Sequence, residues 1–177
     1  MDMSEDKRPQ LDLNRLGLMQ DPTTGHIGLN GAKSVFAQVM TQMEAKEKEV
    51  TGLWLRNKWL FKVASLAGEG IEDAGGGYSE IISHICEHEL SVSPGGAEGA
   101  ADRSALPLLI RTPNGRAEDG FNRDVLLLNP DATLPIHMKM FRFLGMMIGS
   151  AIRTDQPIDL PLAPCMWDLL LGRPLVP

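Results

Sequence analysis

MKMFRFLGMMIGSAIRT, residues 138–154, carries the strongest helical pattern in the chain. Met138, Phe141, Leu144, Ile148 and Ile152 recur at three- and four-residue steps and mark one face. Met140, Phe143 and Met147 add apolar bulk elsewhere, and a helix apolar over most of its girth belongs at the centre of a core. Gly145 and Gly149 stand four apart, so a neighbouring helix is expected to approach closely there. The same spacing serves helix dimers in membranes. Here, however, the apolar run Phe143 to Ile152 is broken by two glycines and a serine, and it falls well short of the ~20 residues that span a bilayer.

On the C-terminal side a second helix is expected. Asp159 is positioned to cap it, Pro161 suits its first turn, Gly172 its end, and Pro174 forbids continuation. On the N-terminal side, Leu106 to Arg111 reads as a short buried strand and Val125 to Leu128 as another, closed by Asn129-Pro130. Pro113-Asn114-Gly115 is a turn signal between them, and the two strands are expected to pair across a long polar loop. Residues 91–105, SVSPGGAEGAADRSA, have no period and read as a flexible surface loop.

Further upstream, Tyr78 to Leu90 reads as a helix with Ile81, Ile82, Ile85 and Leu90 as its stripe. Trp59, Phe61 and Val63 alternate and suggest a strand. Val35, Phe36, Val39, Met40 and Met43 mark another helix, with Ser34 as its N-cap and Glu44 placed to pair with Lys48. Residues 1–32 hold no period and are expected to form a mostly disordered arm, with one docked turn around Leu11 to Leu18. The organisation is therefore an arm over 1–32, a leading helix over 33–52 and a domain over 53–177. The fold class is α+β, mostly helical with a few short strands.

Composition narrows the function. The 177 residues carry a net charge of −6, with 43% hydrophobic and 23% charged residues, which is ordinary for a globular chain. The acidic balance argues against a nucleic-acid partner. The N-terminus lacks a secretory apolar segment, no stretch is long enough to span a membrane, and two cysteines make no multi-bridge framework. A cytoplasmic protein, with nuclear access, is expected.

Three stretches invite a chemical reading. His84-Ile85-Cys86-Glu87-His88 fits the H-x-x-E-H pattern of one class of zinc peptidases, which places two histidines on one helix face with a glutamate as base. A third ligand is missing from the sequence around it, and the default is two exposed or half-exposed histidines on a helix. Gly68 to Gly77 is glycine-rich between strand and helix, where backbone N–H groups could cradle phosphate. Its spacing matches no phosphate-loop fingerprint, and Glu69, Glu72 and Asp73 would repel an anion, so a structural turn is the default. Cys165 sits in the first turn of the last helix, where a thiol can be activated, but no histidine lies near. Cys86 and Cys165 both read as small core residues. No catalytic, metal-binding or cofactor-binding residue is assigned.

A family resemblance reaches further than these stretches do. From about Trp59 onward the strings FKV (61–63), GEGIEDAGGGYSEIISHICEHEL (68–90), LPLLIRTPNGR (106–116), NRDVLLLNP (122–130), MFRFLGMMIGSAIRT (140–154) and IDLPLAPCMWDLLLGRPL (158–175) follow in order. Together they resemble the larger N-terminal lobe of the HECT domain of ubiquitin ligases. The Gly-Gly-Gly-Tyr-Ser-Glu and Thr-Pro-Asn-Gly-Arg variants are most similar to the large HERC-type members. The resemblance covers about two thirds of this chain and only the first part of a complete HECT domain.

It implies an enzyme that takes ubiquitin from a conjugating enzyme onto a cysteine and then passes it to a substrate lysine. Ubiquitin, the conjugating enzyme and protein substrates are thus the implied partners. In the family the nucleophile sits in a separate C-terminal lobe, in a string like Ala-His-Thr-Cys-Phe, which does not occur here. The resemblance therefore implies a partial domain, inactive alone, with apolar surface exposed around Trp167 and Leu169 to Leu171. The alternative is a short noncatalytic module that binds ubiquitin or a ligase.

Overall fold

The computed structural model describes residues 9–15, 18–47, 60–66, 69–70, 76–95, 101–154 and 156–174. It is a mixed helix and strand structure with small sheets. The first sheet joins β1 (Gln10–Leu13), β2 (Lys62–Leu66) and β3 (Glu69–Gly70) in that order. β1 runs parallel to β2, with Leu11 opposite Val63, and β3 pairs antiparallel with β2. A parallel pair needs a long crossover, and α1 (Val35–Glu47) lies on that connection.

β1 corrects the expected disordered arm. Leu11 and Leu13 are buried in the core, while α1 holds the strand's other side through two glutamines. The Asp12 N–H donates to Gln42 Oε1 (3.1 Å) and Gln42 Nε2 donates back to the Asp12 carbonyl (2.7 Å). Gln38 does the same at Asn14, with both bonds at 2.8 Å. The spacing explains why this works: four helical residues rise about 6.0 Å, and two strand residues rise about 6.7 Å. Two side-chain amides one helical turn apart thus match alternate residues of a strand. A 3₁₀ turn, Leu29–Gly31, leads from the arm into α1.

α1 buries Val35, Phe36, Val39, Met40 and Met43, the stripe read from its period. Ser34 caps it, accepting from the Ala37 N–H at 3.0 Å. Lys48 lies outside the described residues; among the described residues Glu44 pairs with Lys139 at 3.6 Å. Of the apolar residues expected to lead into β2, Trp59 lies outside the described residues, while Phe61 and Val63 are buried. α2 (Gly76–His84) continues without a break into a π-helical turn, Ile85–Glu89, and Ile81, Ile82, Ile85 and Leu90 are buried as read.

The 91–105 segment is more ordered than its composition suggests. Its ends form a small hairpin of β4 (Val92–Ser93) and β5 (Arg103–Ser104), and Ala105 is buried. Two-residue strands leave no alternation to read; residues 96–100 lie outside the described residues. β6 (Leu109–Arg111) and β7 (Leu126–Leu128) pair antiparallel as expected. The turn between them is a helical one, α3 (Pro113–Ala117). Thr112 caps α3 by accepting from the Gly115 N–H at 2.9 Å and donating to the Asn122 carbonyl at 2.8 Å.

α4 (Pro135–Thr154) is the long helix of the sequence reading, with its face corrected. The stripe that enters the core is Met140, Phe143, Leu144, Met147 and Ile148. Phe143 meets Phe36 of α1 edge to face, with ring centres 4.9 Å apart at 81°. Met138 and Ile152, which the period placed on one face with Phe141, Leu144 and Ile148, are 49% and 77% exposed. Two apolar stripes compete on this helix, and periodicity cannot rank them. Among the described residues nothing lies within 4 Å of a Cβ built at Gly145 or Gly149, so the expected close approach of a helix is not seen there. Gly149 therefore only adds backbone freedom to the unfolded chain. Gly149→Ala is expected to stabilise the fold by about 0.5–1 kcal/mol in urea titrations, and a loss of stability would refute an open site.

The last helix, α5 (Pro164–Leu170), begins later than expected. Asp159 does not cap it. Residues 161–163 bridge to β7 instead, with the Leu126 N–H donating to the Pro161 carbonyl (2.7 Å) and the Ala163 N–H to the Leu126 carbonyl (2.8 Å). Its end is as read. Gly172 takes φ +67°, its N–H bonds the Leu169 carbonyl (3.1 Å), and the Arg173 N–H bonds the Asp168 carbonyl (2.8 Å). These two bonds form a Schellman motif. No described helix is long and apolar enough to cross a membrane.

Candidate functional site

The H-x-x-E-H stretch falls on the junction of α2 and the π turn. Its histidines do meet, with ring centres 5.1 Å apart. Its glutamate, Glu87, points to solvent. Among the described residues no group of three or more His, Cys, Asp or Glu side chains converges as a metal site would require.

The acid that turns inward is Glu89, one residue past the motif. The π turn closes with an i→i+5 bond, the Leu90 N–H to the Ile85 carbonyl at 2.8 Å. Glu89 is 1% exposed, and its two oxygens accept from the Val35 and Phe36 N–H groups at 2.7 Å each. With Ser34 on Ala37, three of the four free N–H groups of α1 are satisfied by side chains. Glu89 is thus a capping carboxylate supplied from 54 residues away. His84 Nε2 lies 3.8 Å from it.

The glycine-rich stretch lies mostly outside the described residues. Its described parts are β3 and the start of α2.

The two cysteines sit in different surroundings. Burial, then the Asp159 and Glu87 charges, push the Cys86 thiol up to about 11, against an ordinary 9.0. A thiol held that high stays protonated and unreactive near neutrality. Cys165 is half-buried at the second position of α5; α5 has only seven residues.

Two further features bear on function: the first was not legible in the sequence, while for the second exposed apolar surface around Trp167 and Leu169 to Leu171 was expected. One is a polar cluster at α3, where Asp102 bonds Arg116 Nε (3.1 Å) and approaches Arg111 Nη1 (3.7 Å). The Arg111 guanidinium also donates to the Gly115 carbonyl. The other is an open apolar groove of about 250 Å³ between α4 and α5. Phe141, Leu144 and Ile148 form one wall and Met166, Leu169 and Leu170 the other. The second apolar stripe of α4 faces this groove, and Leu169 and Leu170 are 52% and 61% exposed.

A model of the HECT-domain (ubiquitin-transferase) family matches residues 108–176. The chain is 42% identical over 169 residues to E3 ubiquitin-protein ligase HERC2 of Mus musculus and of Homo sapiens. That alignment covers 94% of this chain and 3% of each relative. This chain contains part of a HECT domain. Probable E3 ubiquitin-protein ligase HECTD4 of Homo sapiens is 28% identical over 110 residues, 62% of this chain and 2% of that protein. No solved structure matches. The similarity to HERC2 extends beyond the two thirds expected from the motifs and takes in most of the N-terminal arm. The HECT match comprises β6, α3, β7, α4 and α5, so the apolar groove lies wholly inside the HECT segment.

The HECT segment also holds a buried titratable group at the start of α4. His137 Nδ1 accepts from the Leu134 N–H at 3.4 Å, while Nε2 has no hydrogen-bond partner among the described residues. Burial holds the imidazole below its ordinary 6.5. His26 is lowered too, by burial first and then by His137, against the pull of Asp21. The unfolded chain therefore binds protons near pH 6.5 that the native state refuses. By linkage, stability should be full above about pH 6.5 and fall as the pH drops towards the lowered native values. Urea titrations from about pH 7.5 to 5 check this. A His137→Gln chain should show a shallower slope, and an unchanged slope would remove His137 from the account.

Proposed function

We propose that this chain forms part of the larger N-terminal lobe of a HECT-type E3 ubiquitin-protein ligase. The whole protein would act in the cytoplasm, with nuclear access. In that enzyme a conjugating enzyme delivers ubiquitin to a cysteine outside this chain, which passes it to a substrate lysine. The chain's role is to support that machinery, not to carry the nucleophile. The observation that carries the reading is the HECT match over residues 108–176 together with the 42% identity to HERC2. The groove between α4 and α5 supports it. An apolar face of this kind suits burial against the remainder of a larger domain.

The test is a thioester assay with ubiquitin, activating enzyme, conjugating enzyme and ATP. No thiol-sensitive ubiquitin adduct should form on the chain. An adduct that disappears in Cys165→Ser or Cys86→Ser would overturn the noncatalytic role. The chain alone should self-associate through the open face, and a Leu169→Glu, Leu170→Glu double variant should be more monodisperse in sedimentation. Equal self-association of both would separate the groove from the proposed docking.

A further inference from the structure

On the side of the molecule formed by the β4–β5 hairpin and the π turn, a polar cavity of about 200 Å³ opens. Its lining includes Arg103, His88 and Gln20 as potential hydrogen-bond donors besides the hydroxyls of Ser91, Ser93 and Ser104, and among the described residues no acidic side chain lines it. Such a lining favours an anion. Among the described residues the Arg103 side chain is exposed and makes no ion pair. On the same rim stands Ser93, the last residue of β4, directly opposite Arg103 across the hairpin. Opposed residues on a two-stranded ribbon carry Cβ atoms about 4.5–5.5 Å apart, within reach of a phosphate and a guanidinium.

The chain has two hydroxyl-proline dipeptides, Ser93-Pro94 and Thr112-Pro113. Thr112 is buried, and its hydroxyl both accepts and donates in capping α3. Ser93 and Pro94 are exposed. A proline at the following position biases Ser93 to extended backbone, the form a protein kinase threads through its site.

We propose that Ser93 is a phosphorylation site for a proline-directed kinase, and that the adjoining cavity seats the phosphate against Arg103 and His88. The γ-phosphoryl group of ATP passes to Ser93 Oγ. The bond from that phosphorus to the ADP oxygen breaks, the bond to Oγ forms, and the hydroxyl proton leaves on the kinase's base. The phosphate then joins β4 to β5 by charge-assisted bonds, in a hairpin whose strands are two residues long and otherwise hold little. This inference is independent of the ligase reading.

The full chain is treated with a proline-directed kinase and ATP, the site is mapped by fragmentation mass spectrometry, and the phosphate is titrated by phosphorus NMR. One phosphate is expected, on Ser93, and none on Ser93→Ala. Its second pKa should lie about one unit below the ~6 of free phosphoserine. Arg103→Gln should return it towards ~6 without changing phosphorylation, and Arg103→Lys should keep most of the shift. A kinase that phosphorylates a peptide of residues 88–98 but not the folded chain overturns the site. A pKa that Arg103→Gln leaves unchanged overturns the seat.

Discussion

Phe36→Ala should remove about 4 kcal/mol of unfolding free energy. Phe36 is fully buried in α1 and meets Phe143 of α4 edge to face. Truncation deletes a ring that both helices close upon, and neither neighbour can follow, since α1 is fixed at its N-terminus by Ser34 and Glu89. The cost therefore includes the lost transfer of the ring and most of the cavity it leaves. A double-mutant cycle with Phe143→Leu isolates the ring–ring contact, expected at about 1 kcal/mol. Single losses that add within about 0.3 kcal/mol would mean that the edge-to-face geometry contributes nothing beyond area.

Glu89→Ala should cost about 3 kcal/mol, or a fall in Tm of roughly 6–12 °C for a chain of this size. Both oxygens of this carboxylate accept short bonds from α1, and the side chain is 1% exposed. Alanine would leave two N–H groups dry at the positive end of the helix dipole. Glu89→Gln separates the contributions. It keeps one acceptor but turns an NH2 towards the other donor, so it should cost about half as much. The denaturant slope should stay constant across the series. A Glu89→Ala chain within about 0.5 kcal/mol of the parent would show that water reaches the helix end and replaces the carboxylate.

These two residues also mark what a sequence can disclose. Phe36 was legible, because it recurs with Val35, Val39, Met40 and Met43 at the period of a helix. Glu89 was not. Its partners are 53 and 54 residues away, and a glutamate before a leucine at a helix end looks like any solvated charge. The family was legible from strings such as GEGIEDAGGGYSE and FLGMMIGSAIRT, but the core-facing side of α4 was not, because both of its stripes are apolar. Asp159 failed as a cap for a related reason. Local capping signals compete with pairing partners, and here residues 161–163 are claimed by a bridge to Leu126 of β7. β1 escaped because four residues with two leucines give no period to detect.

The two glutamines of α1 have a consequence of their own. They recognise the arm through its amide groups, while Leu11 and Leu13 are recognised as buried side chains and Asp12 Oδ1 accepts from Ser65 Oγ at 2.8 Å. The arm is in effect a detachable strap, so a synthetic peptide spanning residues 9–15 should reseat on a chain that begins at residue 18, provided its two leucines are intact.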